Sequence, residues 1–408
     1  FSSLPIKPYS LVAEKTGLEF TPASRTVLPY NTESQNFVGS ILPTIIPSTT
    51  EVISTDTGQY LETISEDGTE FSFTEETDEL QNLAVGDIMV SEPIPAAPYG
   101  YLRRVVSKTN QDGKINIDTE PAALEEAITQ ASLSYNQPLT NTAASIQMLD
   151  VLPGVTIEPA STSSACEGCF TVNFLNVILK ATDSDPVGVE VVVNGSLEFK
   201  ITPHFSFDIR DGQLDNLRIV FDSESFSNLT ISVKGTSSGT FVSQNSVTVA
   251  KFVLGVLTFF LGPVPVVIVP EITVNLGLDG KLSVGAEWGI ESDVTRRTFG
   301  LEWQAGDSLP TIVNLQTSEP VIPASPQFFF EAEVKGYAEI GPVLKLYGVA
   351  GPFAKLRVYV RGVATLEVIP DPGITISVYL GGEIPLGVLA DFFNIKFEVT
   401  IRIAELLI

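Results

Sequence analysis

Ile272-Thr273-Val274-Asn275-Leu276-Gly277-Leu278-Asp279-Gly280-Lys281-Leu282-Ser283-Val284-Gly285-Ala286-Glu287-Trp288 is the stretch from which the fold is read. Apolar side chains fall at 272, 274, 276 and 278, and again at 282, 284, 286 and 288. A period of two is the signature of a strand with one buried face. Asp279-Gly280 can supply the positive φ angles of a type I′ turn, and apolar parity is kept on both sides of it. The stretch therefore predicts an antiparallel hairpin turning at Asp279-Gly280.

The same alternation spreads outward in both directions. Leu197, Phe199 and Ile201 alternate with Glu198 and Lys200, and Leu229, Ile231 and Val233 with Thr230, Ser232 and Lys234. It recurs at Leu356, Val358 and Val360 against Lys355 and Arg357, at Ile374, Ile376 and Val378, and at Ile395, Phe397, Val399, Ile401 and Ile403. From Phe170 onward these strands imply a large antiparallel β-sandwich or curved-sheet domain, assigned to 166–408 with a candidate subdivision near 251.

Ahead of it the pattern changes twice. Residues 1–60, punctuated by Pro5, Pro8, Pro22, Pro29, Pro43 and Pro47, read as an extended Pro-rich arm, because proline fixes φ and deletes a donor. Residues 61–132 read as a small β-barrel-like domain with one short helix. Its strands are expected at Leu83–Val90, Tyr101–Val106 and Ile115–Asp118, with Gly-Asp and Asp-Gly turns. The helix is expected to begin at Thr119, with Thr119 as cap, Pro121 in the first turn and Glu125 and Glu126 complementing the helix dipole. The Ser/Thr/Asn/Pro-rich segment 133–165 reads as a linker. The fold class is mainly β.

Composition bounds the function. The 408 residues suffice for several compact cores, and 23 Lys plus Arg against 49 Asp plus Glu give a net charge of −26. Such a charge repels a phosphate backbone, so neither nucleic acid nor an anionic membrane surface is an expected partner. Charged residues are only 18%, leaving a surface rich in Ser, Thr, Asn and Gln. Numbering that starts at Phe1 without a methionine fits removal of a signal peptide, and secretion or display at a cell surface is the expected localisation.

The residues able to carry chemistry are few. Cys166 and Cys169 have the spacing of a redox dithiol, but no helix N-terminus in a βαβ setting accompanies them, so a local disulfide is expected. His204 is the single histidine, and no Gly-x-Ser-x-Gly elbow is present to partner it. Asp183 with Asp185, and Asp211 with Asp215, could offer oxygens to calcium, although turn chemistry explains both pairs; no other cofactor is indicated. Asn194 and Asn228 head glycosylation sequons. Glu331, Glu333 and Glu398 sit at polar phases of strands and read as solvated. Phe252 to Pro270 carries no charge, but its Gly262-Pro263 pair breaks a helix, so it reads as a strand pair buried on both faces and not as a membrane span.

The run Gly262-Pro263-Val264-Pro265-Val266-Val267-Ile268-Val269-Pro270, together with Leu346-Tyr347-Gly348-Val349-Ala350-Gly351-Pro352 and Gly100-Tyr101-Leu102-Arg103-Arg104-Val105, resembles segments of uncharacterised large secreted or cell-surface β-rich proteins. That resemblance implies extracellular placement and supplies no activity. The expected function is therefore a non-catalytic extracellular structural or adhesive protein, a self-assembling surface or fibre subunit joined by strand addition to itself or to other extracellular proteins or polysaccharide. The alternatives are a carrier for an apolar ligand or polysaccharide, using 252–270 and Phe328, Phe329 and Phe330, and a carboxylate-dependent glycoside hydrolase.

Overall fold

The computed structural model describes residues 7–13, 18–22, 24–28, 36–111, 113–139, 146–159, 169–179, 189–235, 240–283, 287–316, 321–322, 332–349, 351–367, 373–388 and 397–407. Strand makes up 69% and helix 5%, in several antiparallel sheets of which one curls into a half-barrel, so the mainly β class read from the alternation holds.

The first strands are β1 (Tyr9–Val12), β2 (Leu18–Thr21), β3 (Ser24–Val27) and β4 (Val38–Ile41). They pair among themselves, β1 with β3 and β2 with β4. Next come β5 (Thr50–Ile53), α1 (Thr55–Gly58), β6 (Leu61–Ile64), β7 (Glu70–Phe73), α2 (Asp78–Asn82), β8 (Ile88–Ser91), β9 (Tyr101–Gln111), β10 (Lys114–Pro121) and α3 (Leu124–Ala127). They build a six-stranded sheet in the order β5-β8-β9-β10-β7-β6, with β5 parallel to β8. The last stretch of the Pro-rich arm is thus a strand of this sheet. Phe71, Phe73, Met89, Tyr101, Ile115 and Ile117 fill its core. Burying each such side chain contributes about 1.5–3 kcal/mol.

The helix is shorter than the sequence suggests. β10 continues to Pro121, so Thr119 is a buried strand residue: its hydroxyl donates to the Gly68 carbonyl at 3.1 Å and accepts from Arg103 Nε at 3.1 Å. Only Leu124–Ala127 is helical, and the Ala123 N–H at its start donates to Glu126 at 2.8 Å. Pairing of Thr119 with Val105 across the β9–β10 ladder prevails over its capping preference. α1 and α2 were not expected, yet each has an ordinary cap, with the Ser54 and Thr77 side chains accepting from the backbone of Thr57 and Leu80.

The remaining strands are β11 (Ala131–Tyr135), β12 (Ile146–Val151), β13 (Val155–Pro159), β14 (Phe170–Leu179), β15 (Val189–Arg210), β16 (Gln213–Gly235) and β17 (Thr240–Leu254). They continue as β18 (Leu257–Leu261), β19 (Val264–Ser283), β20 (Glu287–Gln304), β21 (Thr311–Gln316) and β22 (Val321–Ile322). The last are β23 (Ala332–Leu346), β24 (Pro352–Ala354), β25 (Leu356–Glu367), β26 (Gly373–Val388) and β27 (Phe397–Leu407). Two of these, β12 and β13, lie in the segment read as linker, and β11 runs into it from residue 131. An eight-stranded sheet follows β13-β14-β15-β16-β20-β21, with β11 on β15 and β22 on β20. A nine-stranded sheet runs from β12 through β17, β19 and β23 to β24, β25 and β26, with β18 on β19 and β27 on β26. Apolar faces of the two sheets meet: Phe170 and Phe199 of the first stand 5.7 Å apart by ring centroid, and Phe252 of the second lies 6.3 Å from Phe170.

The predicted hairpin at Asp279-Gly280 does not form. β19 runs straight through it, with Asp279 opposite Gln244 on β17 and Lys335 on β23. A turn there would break two ladders at once, and pairing on both sides outweighs the local turn preference. Glu287 and Trp288 belong to β20 in the other sheet, opposite Ser232 and Ile231. The hairpin that does form turns at Gly262-Pro263, where Gly262 takes φ 62° and Leu261 faces Val264. The uncharged run 252–270 is accordingly strand: Val264 and Val266 to Val269 are buried, while Phe260 on β18 is 59% exposed. Among the described residues no helix is long and apolar enough to cross a membrane.

Candidate functional site

Alternation along β19 sends Ile272, Val274 and Leu276 into the core between the large sheets and Glu271, Thr273 and Asn275 to the opposite face. On that second face, register places complementary groups on successive strands. Thr248 of β17 faces Asn275 of β19, Asn275 faces Glu339 of β23, and Glu339 faces Arg357 of β25. Arg357 then faces Glu383 of β26, and Glu383 faces Arg402 of β27. A single polar belt thus crosses the sheet at right angles to its strands.

The belt is closely bonded. Thr248 Oγ1 donates to Asn275 Oδ1 at 2.8 Å, and Asn275 Nδ2 donates to Glu339 Oε1 at 2.8 Å. Arg357 donates from Nε and Nη2 to Glu339 Oε2 at 3.0 and 2.7 Å, and from Nη1 to Glu383 Oε2 at 2.9 Å. Lys355 Nζ lies 3.1 Å from Glu339 Oε1. Four residues along β19 from Asn275, Glu271 is held between Lys251 at 3.3 Å and Lys345 at 2.7 Å. Glu339 is only 3% exposed. Burial pushes its carboxyl up, but Lys355, Asn275 and Arg357 together outweigh burial and hold it below the usual range.

A tyrosine ring flanks the middle of the belt. Tyr337 lies over Gly277, where an added Cβ would fall 2.0 Å from the ring, so no other residue fits beneath it without displacing it. The Arg357 guanidinium sits 4.8 Å from the Tyr337 ring centroid, a cation–π contact that fixes the arginine plane between its two acids.

At the far side of the sheet β27, 11 residues long, pairs with β26 and, among the described residues, with no other strand. The direction of its free edge follows from one bond. Lys355 N donates to the Pro385 carbonyl at 2.8 Å, so Pro385 presents its backbone toward β24 and β25. N–H and C=O of one strand residue point the same way, so the Pro385–Thr400 pair is a non-hydrogen-bonded one and the Thr400 N–H and C=O point away from β26. Glu398 and Arg402 share that parity. The Glu398 and Thr400 side chains are exposed.

The residues singled out in sequence are placed elsewhere. His204 Nε2 lies 2.7 Å from Asp222 Oδ2 on the outer face of the eight-stranded sheet, and the Thr298 hydroxyl donates to the other oxygen of the same carboxylate. A nucleophile–base–acid relay needs the hydroxyl on the imidazole, which this order does not provide. Asp211, with φ 51°, and Gly212 turn the chain from β15 to β16, while Asp215 pairs with Arg210 at 2.9 Å. No group of three or more metal-ligating side chains forms among the described residues. Asn194 accepts through Oδ1 from the Asn176 N–H at 2.7 Å, and Asn228 is exposed on β16. The Cys169 sulfur is buried and not free. Cys166, Asp183, Asp185, Phe328, Phe329, Phe330 and Glu331 lie outside the described residues. An apolar cleft of about 480 Å³ opens between Leu152, Pro153, Asn176, Ile178 and Val247, a lining that includes no residue of 252–270. Glu339, Arg357 and Glu383 were not singled out in sequence; the only hint is that acids and bases replace the expected serines and threonines at the polar phase of these strands.

No family model, no curated protein and no solved structure matches the chain.

Proposed function

We propose that this is a non-catalytic extracellular structural or adhesive protein whose assembly runs through strand addition at β27. The observation that supports this reading is the open edge of β27, with outward-facing backbone groups at Glu398, Thr400 and Arg402 at the end of a belt that stiffens the sheet behind it. The acids of the belt are engaged with cations of the same belt, which suits a load-bearing sheet. The acidic, lysine-poor composition suits exposure outside the cell, and a local Cys166–Cys169 bridge belongs to the same reading. Thr400→Pro tests it, because it deletes an outward donor and leaves the β26 ladder intact. Light scattering across a concentration series is expected to show the wild-type chain assembling and T400P at monomer mass, with thermal midpoints within a few degrees of each other. Ile401→Pro, whose N–H faces β26, is expected to lower the midpoint instead. A wild-type chain that stays monomeric at every concentration overturns the proposal.

A further inference from the structure

We infer that the strand added to β27 is β27 of a second copy of this chain, antiparallel, about a two-fold axis through Thr400; the inference rests on the open-edge reading above. Around that axis Thr400 faces the partner's Thr400, Glu398 faces the partner's Arg402, and Arg402 faces the partner's Glu398. Val399 falls opposite the partner's Ile401, and Phe397 opposite the partner's Ile403. The order Phe397-Glu398-Val399-Thr400-Ile401-Arg402-Ile403 is thus complementary to its own reverse, apolar to apolar and acid to base.

Backbone parity agrees independently. The outward N–H and C=O groups are those of 398, 400 and 402, and the two-fold axis sets these same positions against one another as hydrogen-bonded pairs, about six bonds in all. An axis through 398 or 402 would still match outward groups but would bring Glu398 or Arg402 to face its own copy, and an axis through 399 or 401 would set one of these two charges against Thr400. Charge therefore selects Thr400. The pairing also continues the belt, since the row Glu339, Arg357, Glu383, Arg402 alternates in sign and the partner's Glu398 supplies the next acid. Being isologous, the contact closes into a dimer with one continuous sheet.

Charge exchange tests the register. Glu398→Arg and Arg402→Glu each set like charges against each other at two places, and each is expected to weaken self-association about tenfold or more. An equimolar mixture of the two single variants restores both pairs and is expected to form mixed dimers at wild-type affinity. Glu398 lies opposite Gly387 in its own sheet, so E398R reports on the dimer contact even where R402E is compromised by its own neighbour Glu383. If T400P abolishes assembly while E398R and the mixture behave as wild type, the open edge is used and the two-fold register is wrong. If the wild-type chain never assembles, the edge reading and this inference fall together.

Discussion

Replacing Arg357 with leucine is expected to cost about 3–5 kcal/mol of folding stability, because the buried carboxylates of Glu339 and Glu383 lose the cation between them. Lys355 and Asn275 still cover Glu339, which places the loss toward the lower end of that range. Glu383, at 9% exposure, loses the same guanidinium. A double variant that also replaces Glu339 with leucine is expected to lose less than the sum of the single changes, since the two groups whose desolvation opposed folding leave together. Denaturant unfolding of the four chains in the cycle measures the coupling. A loss under about 1 kcal/mol for R357L would mean that the belt is a solvated surface feature.

A second large effect is expected from acidity, at Glu125 in α3. Burial is the main cause pushing its carboxyl up to about 7, with the negative charge of Glu126 adding to it, and its Oε2 has no hydrogen-bond partner. In the unfolded chain the same group titrates near 4.5. Between those values the native state binds the proton more tightly, so this contribution is fully present below pH 4.5 and is lost as pH rises to about 7, roughly 3 kcal/mol in all. Glu125→Gln keeps the shape and stays neutral. Its unfolding free energy should match wild type near pH 4 and exceed it increasingly up to pH 7, after which the gap stays constant. Parallel stability curves from pH 4 to 8 would show that Glu125 is solvated when ionised.

Period-two alternation was enough to read most strands and the mainly β class, because a half-buried strand writes its inward face directly into the sequence. Leu197, Phe199 and Ile201 are buried on β15 as their parity requires. Two features were misread for the same reason. Asp279-Gly280 and Thr119 carry local signals for a turn and a cap, yet both lie in strands paired on both sides, where ladder bonds to β17 and β23, or to β7 and β9, decide the backbone. The belt was invisible for a different reason. Glu339, Arg357 and Glu383 are separated by 18 and 26 positions, and only the register of three strands brings them side by side. Read one strand at a time, each is an ordinary polar residue on a solvated face. The complementarity of Glu398 and Arg402 about Thr400 was equally present in the sequence, but it acquires meaning only once Pro385 shows which backbone groups of β27 face outward.

Disulfide trapping addresses the dimer most directly. In a hydrogen-bonded antiparallel pair facing Cα atoms stand about 5.5 Å apart, within the roughly 4.4–6.8 Å that a disulfide spans. Two copies joined about Thr400 would bring these positions together, whereas position 398 would lie roughly 13 Å from its own counterpart. Under mild oxidation of the full chain, Thr400→Cys is expected to give a covalent dimer in high yield and Glu398→Cys to remain uncrosslinked. Absence of the T400C dimer, or equal crosslinking at both positions, would contradict assembly through β27 about that axis.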